Sequence, residues 1–191
     1  IVDLKNDGAK VRPIRNMAGG EDFNEVVFDN VLVPKDRIVG EPGNGWQQVT
    51  SELAYERSGP ERFLSSFRVF VELVRICGDD PSPHQAAAIG RIASHFMTLR
   101  RMSLSVAGML EAGKDVSVEA ALVKELGNNF EKLLPEIARL VVPDLSAVDP
   151  DKQRLFRETF EETLMLSPSF TLRGGTREIM RGVIARGLGL R

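Results

Sequence analysis

A mainly α-helical chain, a helical bundle preceded by a few β-strands, is predicted by three features of the sequence. From about residue 43 onward apolar residues recur with helical spacing, broken only by short runs of Gly, Pro and Asp. Before that, residues 1–42 alternate apolar and polar side chains between turn clusters such as Asn6-Asp7-Gly8 and Ala18-Gly19-Gly20. Between the two patterns lies Glu41-Pro-Gly-Asn-Gly-Trp46, a turn-rich joint. We therefore expect a strand unit over 1–42 and a helical unit over 43–191.

Composition limits the function classes. A chain of 191 residues with 42 % hydrophobic content can bury the core of one ordinary domain with a small appendage. Its 25 basic and 27 acidic residues are interspersed and leave a formal net charge of -2, so no broad basic field invites nucleic acid or an anionic membrane. A single Cys77 excludes an intrachain disulfide, and His84 and His95 stand alone, without metal-ligand spacing. No apolar run is long enough to span a bilayer. These features fit a soluble protein of a reducing, cytoplasmic compartment. The opening Ile1-Val-Asp-Leu is strand-like and lacks an initiator methionine, so the chain reads as the later part of a longer one.

Taken in order, Val11-Arg-Pro-Ile14, Glu25-Val-Val-Phe28 and Val31-Leu-Val-Pro34 lead us to expect three or four short strands, with Asn24 and Glu25 solvating an edge. Trp46, the only tryptophan, is expected to pack at the joint. A first long helix is expected from about Asn44 to Ile76, kinked or broken at Gly59-Pro60. Asp79-Asp80-Pro81-Ser82-Pro83 closes it and caps a second helix over His84–Ala112, whose buried face would carry Ile89, Ile92, Phe96, Leu99, Met102, Leu104, Val106 and Leu110. Ser117 can cap a third helix with Ala121, Leu122, Leu126, Phe130 and Leu133, perturbed at Pro135 and ending near Pro143. Asp149-Pro150 starts a fourth, with Leu155, Phe156 and Phe160. Ser167-Pro168 then leads to Gly174-Gly175, and Thr176 can cap a last helix that buries Ile179, Val183 and Ile184 and keeps Arg177, Arg181 and Arg186 at its rim.

Two places could carry chemistry. Successive glycines before a capped helix let the backbone take positive φ, approach a ligand closely and present free N–H groups, although such a pair is also an ordinary turn. On the first long helix, Glu52 and Glu56 lie four residues apart on one face. They suit paired-carboxylate chemistry, and equally a solvated face on which Arg57 and Arg62 compensate Glu56 and Glu61. Residue types alone leave both open.

The wording around these places narrows the choice. Gly175-Thr-Arg-Glu-Ile-Met-Arg-Gly-Val-Ile-Ala-Arg186 resembles the C-terminal signature of the acyl-CoA dehydrogenase family, and the Arg-Gly-Leu-Gly-Leu that follows is similar to its bacterial members. Phe23-Asn-Glu-Val-Val-Phe-Asp-Asn-Val-Leu-Val-Pro34 resembles the end of the family's middle β domain. The resemblance implies that residues 1–42 close that β domain, that residues 43–191 form the C-terminal antiparallel helical bundle, and that an N-terminal helical domain belongs to the whole protein. In much of the family a glutamate immediately before the Gly-Thr pair is the catalytic base; here Gly174 stands in that place. Members such as long-chain and isovaleryl-CoA dehydrogenases carry the base on the first helix of this domain, in a context that Glu52-Leu53-Ala54-Tyr55-Glu56-Arg57 resembles. That makes Glu56 the matching base, and a small residue at 174 would leave room for it.

By this resemblance the reaction is α,β-dehydrogenation of an acyl-CoA, with FAD as cofactor and electron-transferring flavoprotein as acceptor. Arg57 would orient the carboxylate or meet the thioester end, and Gly175 would pass close to substrate. Thr176 and Glu178 match positions near the flavin, Arg186 one near the CoA moiety, and the backbone N–H of Glu56 would donate to the enolate oxygen. A dimer or tetramer is implied, with an unlike acyl-CoA dehydrogenase subunit as a further option. Two family phrases are replaced. Leu73-Val-Arg-Ile-Cys-Gly78 stands where an FAD-reaching Gln-Arg phrase is usual, and Val141-Val-Pro-Asp-Leu-Ser-Ala-Val-Asp149 where a Gly-rich segment holds the adenine side. Accordingly, the fragment alone is expected to be inactive and to hold FAD weakly. The alternatives are a non-catalytic assembly subunit of the family and a related acyl-CoA oxidase or nitroalkane-type oxidase.

Overall fold

The computed structural model describes residues 1–190, which divide into two compact units, the first over 1–52 and the second from Leu53 onward. In the first, β1 (Ala9–Ile14) and β2 (Phe23–Phe28) pair antiparallel, with Val11 opposite Val26 and Arg12 opposite Glu25. The Arg12 guanidinium donates to Glu25 at 3.4 Å, so Glu25 does solvate the ribbon's surface. Only these two strands form among the described residues, fewer than the alternation suggests. Val31–Pro34 is extended but has no neighbouring strand to bond, and Pro34 passes into a 3-10 turn at Lys35–Arg37. The unit ends in α1 (Gly45–Ser51), where Gln48 donates to the Val39 carbonyl. Trp46 is 82 % exposed within this structure, so it is not the packing residue that its composition suggests.

The second unit is all helix. The expected first long helix is broken into several pieces: α2 (Leu53–Ser58), a 3-10 turn at Pro60–Arg62 and α3 (Phe67–Cys77). Gly59, extended at ψ 158°, and Pro60 stop α2, as Gly-Pro predicts, and Phe63 at φ -148° breaks the path again. The second helix, α4 (Pro83–Glu111), starts at a capping box in which Ser82 and Gln85 satisfy each other's backbone N–H groups. Ile92, Phe96, Leu99 and Val106 are buried on it, whereas Leu104 faces away and is half exposed.

The central element is α5 (Ser117–Val141), which packs against α2, α3, α4, α6 (Pro150–Phe170) and α7 (Arg177–Gly187). Pro135 sits inside α5 without ending it. Ser117 is its first helical residue, not its cap; Asp115 accepts from the Ser117 N–H and hydroxyl. The face of α5 turned inward carries Ala120, Val123, Phe130, Leu134 and Ala138, while Leu126 and Leu133 are about half exposed. Phe130 joins Phe96 edge-on at 4.8 Å and stacks with His95 at 5.0 Å, so that histidine is an aromatic packing partner. Asp149 caps α6 as predicted, accepting from Asp151 and Lys152 N–H. On α7 the fully buried residue is Met180, and Ile179, expected inside, is 54 % exposed.

Gly127 lets α5 reach the 3-10 turn closely: a Cβ there would lie 2.3 Å from the Arg62 carbonyl oxygen. Gly127→Ala should therefore destabilise the protein by about 1–3 kcal/mol. At Gly108 of α4 an added Cβ meets nothing within 4 Å, so Gly108→Ala should stabilise by about 0.5–1 kcal/mol. Urea midpoints of the two variants, moving in opposite directions, check this packing.

Candidate active site

Glu56 lies in the second turn-forming half of α2, half-buried, with its Oε1 receiving Arg62 Nη2 at 2.7 Å. Arg62 also donates from Nε to the Glu56 carbonyl at 2.8 Å, so one side chain fixes both the backbone and the carboxylate of Glu56. Arg62 itself is 4 % exposed. The break after α2 explains the geometry: only because Gly59-Pro60 turns the chain back can residue 62 reach residue 56 in this way.

The glycine turn meets the same carboxylate. Gly174 has φ 65° and Gly175 φ 105°, a left-handed stretch that favours glycine. A Cβ on Gly174 would stand 2.9 Å from Glu56 Oε1 and 3.4 Å from Lys124 Cε. The carboxylate and residue 174 thus share one space, and only a residue without a side chain leaves it to Glu56. Gly175 is similarly enclosed, since a Cβ there would meet Met180 Cε at 2.9 Å.

Two arginines hold the turn in place. Arg57 Nε donates to the Gly174 carbonyl at 3.1 Å. Arg173 bonds Ser65 Oγ and Glu131 Oε2, each at 3.0 Å, and its guanidinium lies 4.5 Å from the Phe170 ring centre. Glu131 is fully buried and also accepts from the Ser65 N–H at 2.6 Å. Burial pushes the Glu131 carboxyl above its usual range, with Arg173 opposing the shift. Burial likewise lowers Arg57, against the pull of Glu56, and Arg173, against that of Glu131.

Behind this site, α5 presents polar residues where its neighbours are apolar. Lys124, Asn128 and Glu131 fall on one helical face, and all three are 0 % exposed. The Lys124 ammonium and both amide atoms of Asn128 have no hydrogen-bond partner. Burial, with Arg62 and Arg57 adding to it, lowers Lys124 to about 8, while Glu125 opposes the shift. Glu125 in turn receives Arg177 and Arg181 from α7 at 3.3 and 3.1 Å, which ties the last helix to α5.

Among the residues singled out from the sequence, Glu56, Arg57 and the glycine pair Gly174-Gly175 are thus brought together. Thr176 occupies the N-cap position of α7 next to them, but its hydroxyl makes no capping bond. Glu178 is exposed in the first turn of α7, and Arg186 is exposed in the last, ten residues and about 15 Å of helix beyond Thr176. Arg62, assigned from the sequence only to balance nearby glutamates, turns out to clasp Glu56. Lys124, Asn128, Glu131 and Arg173 were missed. Their signal is faint but present: Lys, Asn and Glu at positions 124, 128 and 131 interrupt the apolar face set by Ala120, Val123, Leu134 and Ala138.

Lys124 gives a pH-dependent stability with a definite sign. Its folded value near 8 lies below the ordinary 10.5, so the unfolded chain holds more protons between those limits and native stability rises with pH across that window. Lys124→Met should be more stable than the native protein at pH 7, by about 1–3 kcal/mol. That advantage should shrink from pH 8 to about 10.5; urea titrations at pH 7 and 10 measure it, and a constant gap would contradict the assignment.

No protein-family model matches the chain. A curated relative, the acyl-CoA dehydrogenase IpdE1 of Mycobacterium tuberculosis, is 32 % identical over 202 residues, covering all of this chain and 50 % of its own. Among solved structures, the ChsE4-ChsE5 complex of Mycobacterium tuberculosis superposes with a TM-score of 0.75 at 24 % identity, over all of this chain and 51 % of that one. A Tcur3481-Tcur3483 steroid ACAD superposes with a TM-score of 0.78 at 19 % identity, over 98 % of this chain and 50 % of that one. At such identities these two likenesses establish the fold. Apart from FadE34, of which it covers 26 %, the chain spans about half the length of the curated relatives it matches. Over its whole length the chain is thus a relative of acyl-CoA dehydrogenases by sequence, and its helical unit has the fold of their C-terminal helical domain.

Proposed function

We propose that this chain is the later half of an FAD-dependent acyl-CoA dehydrogenase whose base is Glu56. Residues 1–42 would then close the middle β domain and residues 43–191 form the C-terminal bundle. One observation carries the reading: the Glu56 carboxylate occupies the space that a side chain at position 174 would fill. A carboxylate delivered from α2 therefore reaches the spot that, by the sequence resemblance, other members serve from position 174.

The chemistry asks for a carboxylate close to the α-carbon of a thioester, held ionised until it takes the proton. Arg62 fixes the position of that carboxylate, and the Arg57 bond to Gly174 fixes the turn beside it. As the α-proton moves to Glu56, negative charge passes to the thioester oxygen, for which the Glu56 backbone N–H is the proposed donor. Gly175 is the proposed point of close approach for the substrate. Arg186, in the last turn of α7, is the proposed contact for the CoA end of the ligand.

FAD fits the α7 edge of the site. Thr176 and Glu178, which meet through their side chains at the exposed start of α7, are the proposed flavin-side residues. Bound FAD would supply the acceptor for the hydride lost from the β-carbon. Electron-transferring flavoprotein is the proposed onward acceptor, in a cytoplasmic setting. No described helix is long and apolar enough to cross a membrane.

Relatives that are themselves unlike pairs, as the ChsE4-ChsE5 complex is named, favour assembly with a different acyl-CoA dehydrogenase subunit. A non-catalytic role within such a pair is the second reading.

Anaerobic bleaching of flavin absorbance separates these readings. In the full-length protein, with its partner where one co-purifies, a panel of straight, branched and steroid side-chain acyl-CoAs should include one that bleaches the flavin rapidly. Glu56→Gln should slow that bleaching by at least about 10^3-fold while acyl-CoA still binds. Equal bleaching in both proteins would exclude Glu56 as the base. Bleaching in neither would favour the assembly subunit, and peroxide formed in air would mark an oxidase.

A further inference from the structure

The glycine turn has no stiffness of its own. Gly174 and Gly175 follow one another at positive φ, and two residues without side chains leave the backbone free to move, so a fixed position beside Glu56 has to be imposed from outside. Helix α5 fastens both ends. Arg173, the residue before the glycines, is held by Glu131, and Arg177, the residue after Thr176, is held by Glu125. The two carboxylates stand six residues apart on α5, about 9 Å along its axis, and the turn joins the arginines that they hold.

Glu125 makes all its bonds through one oxygen. Its Oε1 accepts from Asn129 Nδ2 at 3.1 Å, from Arg177 Nε and Nη2 at 3.3 Å each, and from Arg181 Nε at 3.1 Å, while Oε2 is buried without a partner. The two arginines are not equivalent. Arg177 presents two donors from a side chain 32 % exposed, whereas Arg181 presents one from a side chain 61 % exposed, where solvent screens the pair. Arg177 is also the one next to the turn, two residues after Gly175. Little else holds the start of α7: Met180 is the buried residue of that helix, and Thr176 makes no capping bond. We propose that Glu125 is a positioning residue for the active site: through Arg177 it fixes the far end of the glycine turn, as Glu131 fixes the near end through Arg173, and so keeps the space over Gly174 in place for the Glu56 carboxylate.

The inference rests on the reading of Glu56 as the base, yet its first test does not depend on turnover. Amide hydrogen exchange over residues 172–178 is followed by mass spectrometry in the full-length protein. Arg177→Gln and Glu125→Gln should each speed exchange there by about tenfold, because a charge-assisted tie is lost, with α3 and α4 unchanged. Arg181→Gln should leave the turn as it is in native protein. Unchanged exchange in Arg177→Gln overturns the proposal, and so does equal loosening by Arg181→Gln, since Glu125 would then merely dock α7. If Glu125→Gln does not fold, the partly exposed Arg177 decides alone. A kinetic split separates positioning from simple support: Arg177→Gln should slow flavin bleaching at saturating acyl-CoA by about tenfold while acyl-CoA affinity holds. Weaker affinity with an unchanged rate overturns the positioning role. Failure of the base reading is distinct, because bleaching that survives Glu56→Gln removes the base and leaves the exchange pattern of the turn intact.

Discussion

Everything at this site depends on one shared volume, the space over Gly174 that the Glu56 carboxylate occupies. Glycine at 174 makes the space, the Gly59-Pro60 break turns the chain so that Arg62 can clasp the carboxylate from below, and Arg57 pins the glycine turn beside it. Each contact comes from a different segment, and a side chain at 174 would crowd the Glu56 carboxylate at their centre. On the proposed reading, Glu56 of α2 takes the place that the sequence resemblance assigns to a carboxylate at position 174.

The cost of this arrangement falls on α5. A helix at the centre of a bundle would normally be apolar on every face, yet this one buries Lys124, Asn128 and Glu131 in line. Buried charges of this kind weaken a fold unless paired. Glu131 is paired, and it uses that pairing to anchor Arg173 and hence the glycine turn. Lys124 is not: its ammonium is buried without a hydrogen-bond partner. The packing around the stripe is correspondingly tight, with Gly127 admitting the Arg62 carbonyl and the Phe96–Phe130 contact supplying apolar burial on the opposite side.

Much of this was legible in the sequence. Prolines and their caps placed the starts of α4 and α6 to within a residue, because Ser82-Pro83 and Asp149-Pro150 fix a helix start through a side-chain acceptor and a preset φ. By contrast, α6 runs on through Pro168, which the sequence reads as leading out of it. Glu56 and the glycine turn were legible through their resemblance to family phrases. Three things were not. Val31–Pro34 has strand composition but no partner to bond, and pairing, not composition, makes a strand. Ile179, Leu126 and Leu133 have helical spacing, but which side of a helix is covered depends on neighbours that spacing does not name; Met180 and the Lys124 stripe were buried instead. The Arg62–Glu56 clasp was hidden because it requires a chain reversal between them, and six residues of continuous helix would have kept the two apart.

The central claim is that Glu56 takes a proton from the α-carbon, and α-hydrogen exchange tests it most directly because it reports proton abstraction whether or not hydride transfer follows. The full-length protein would be incubated in D2O with an acyl-CoA that it binds but cannot oxidise, and deuterium at the α-carbon followed by NMR. The account predicts steady incorporation with native protein and almost none with Glu56→Gln at equal ligand occupancy. Equal incorporation by both would mean that another group removes the proton, and the space over Gly174 would need a different explanation.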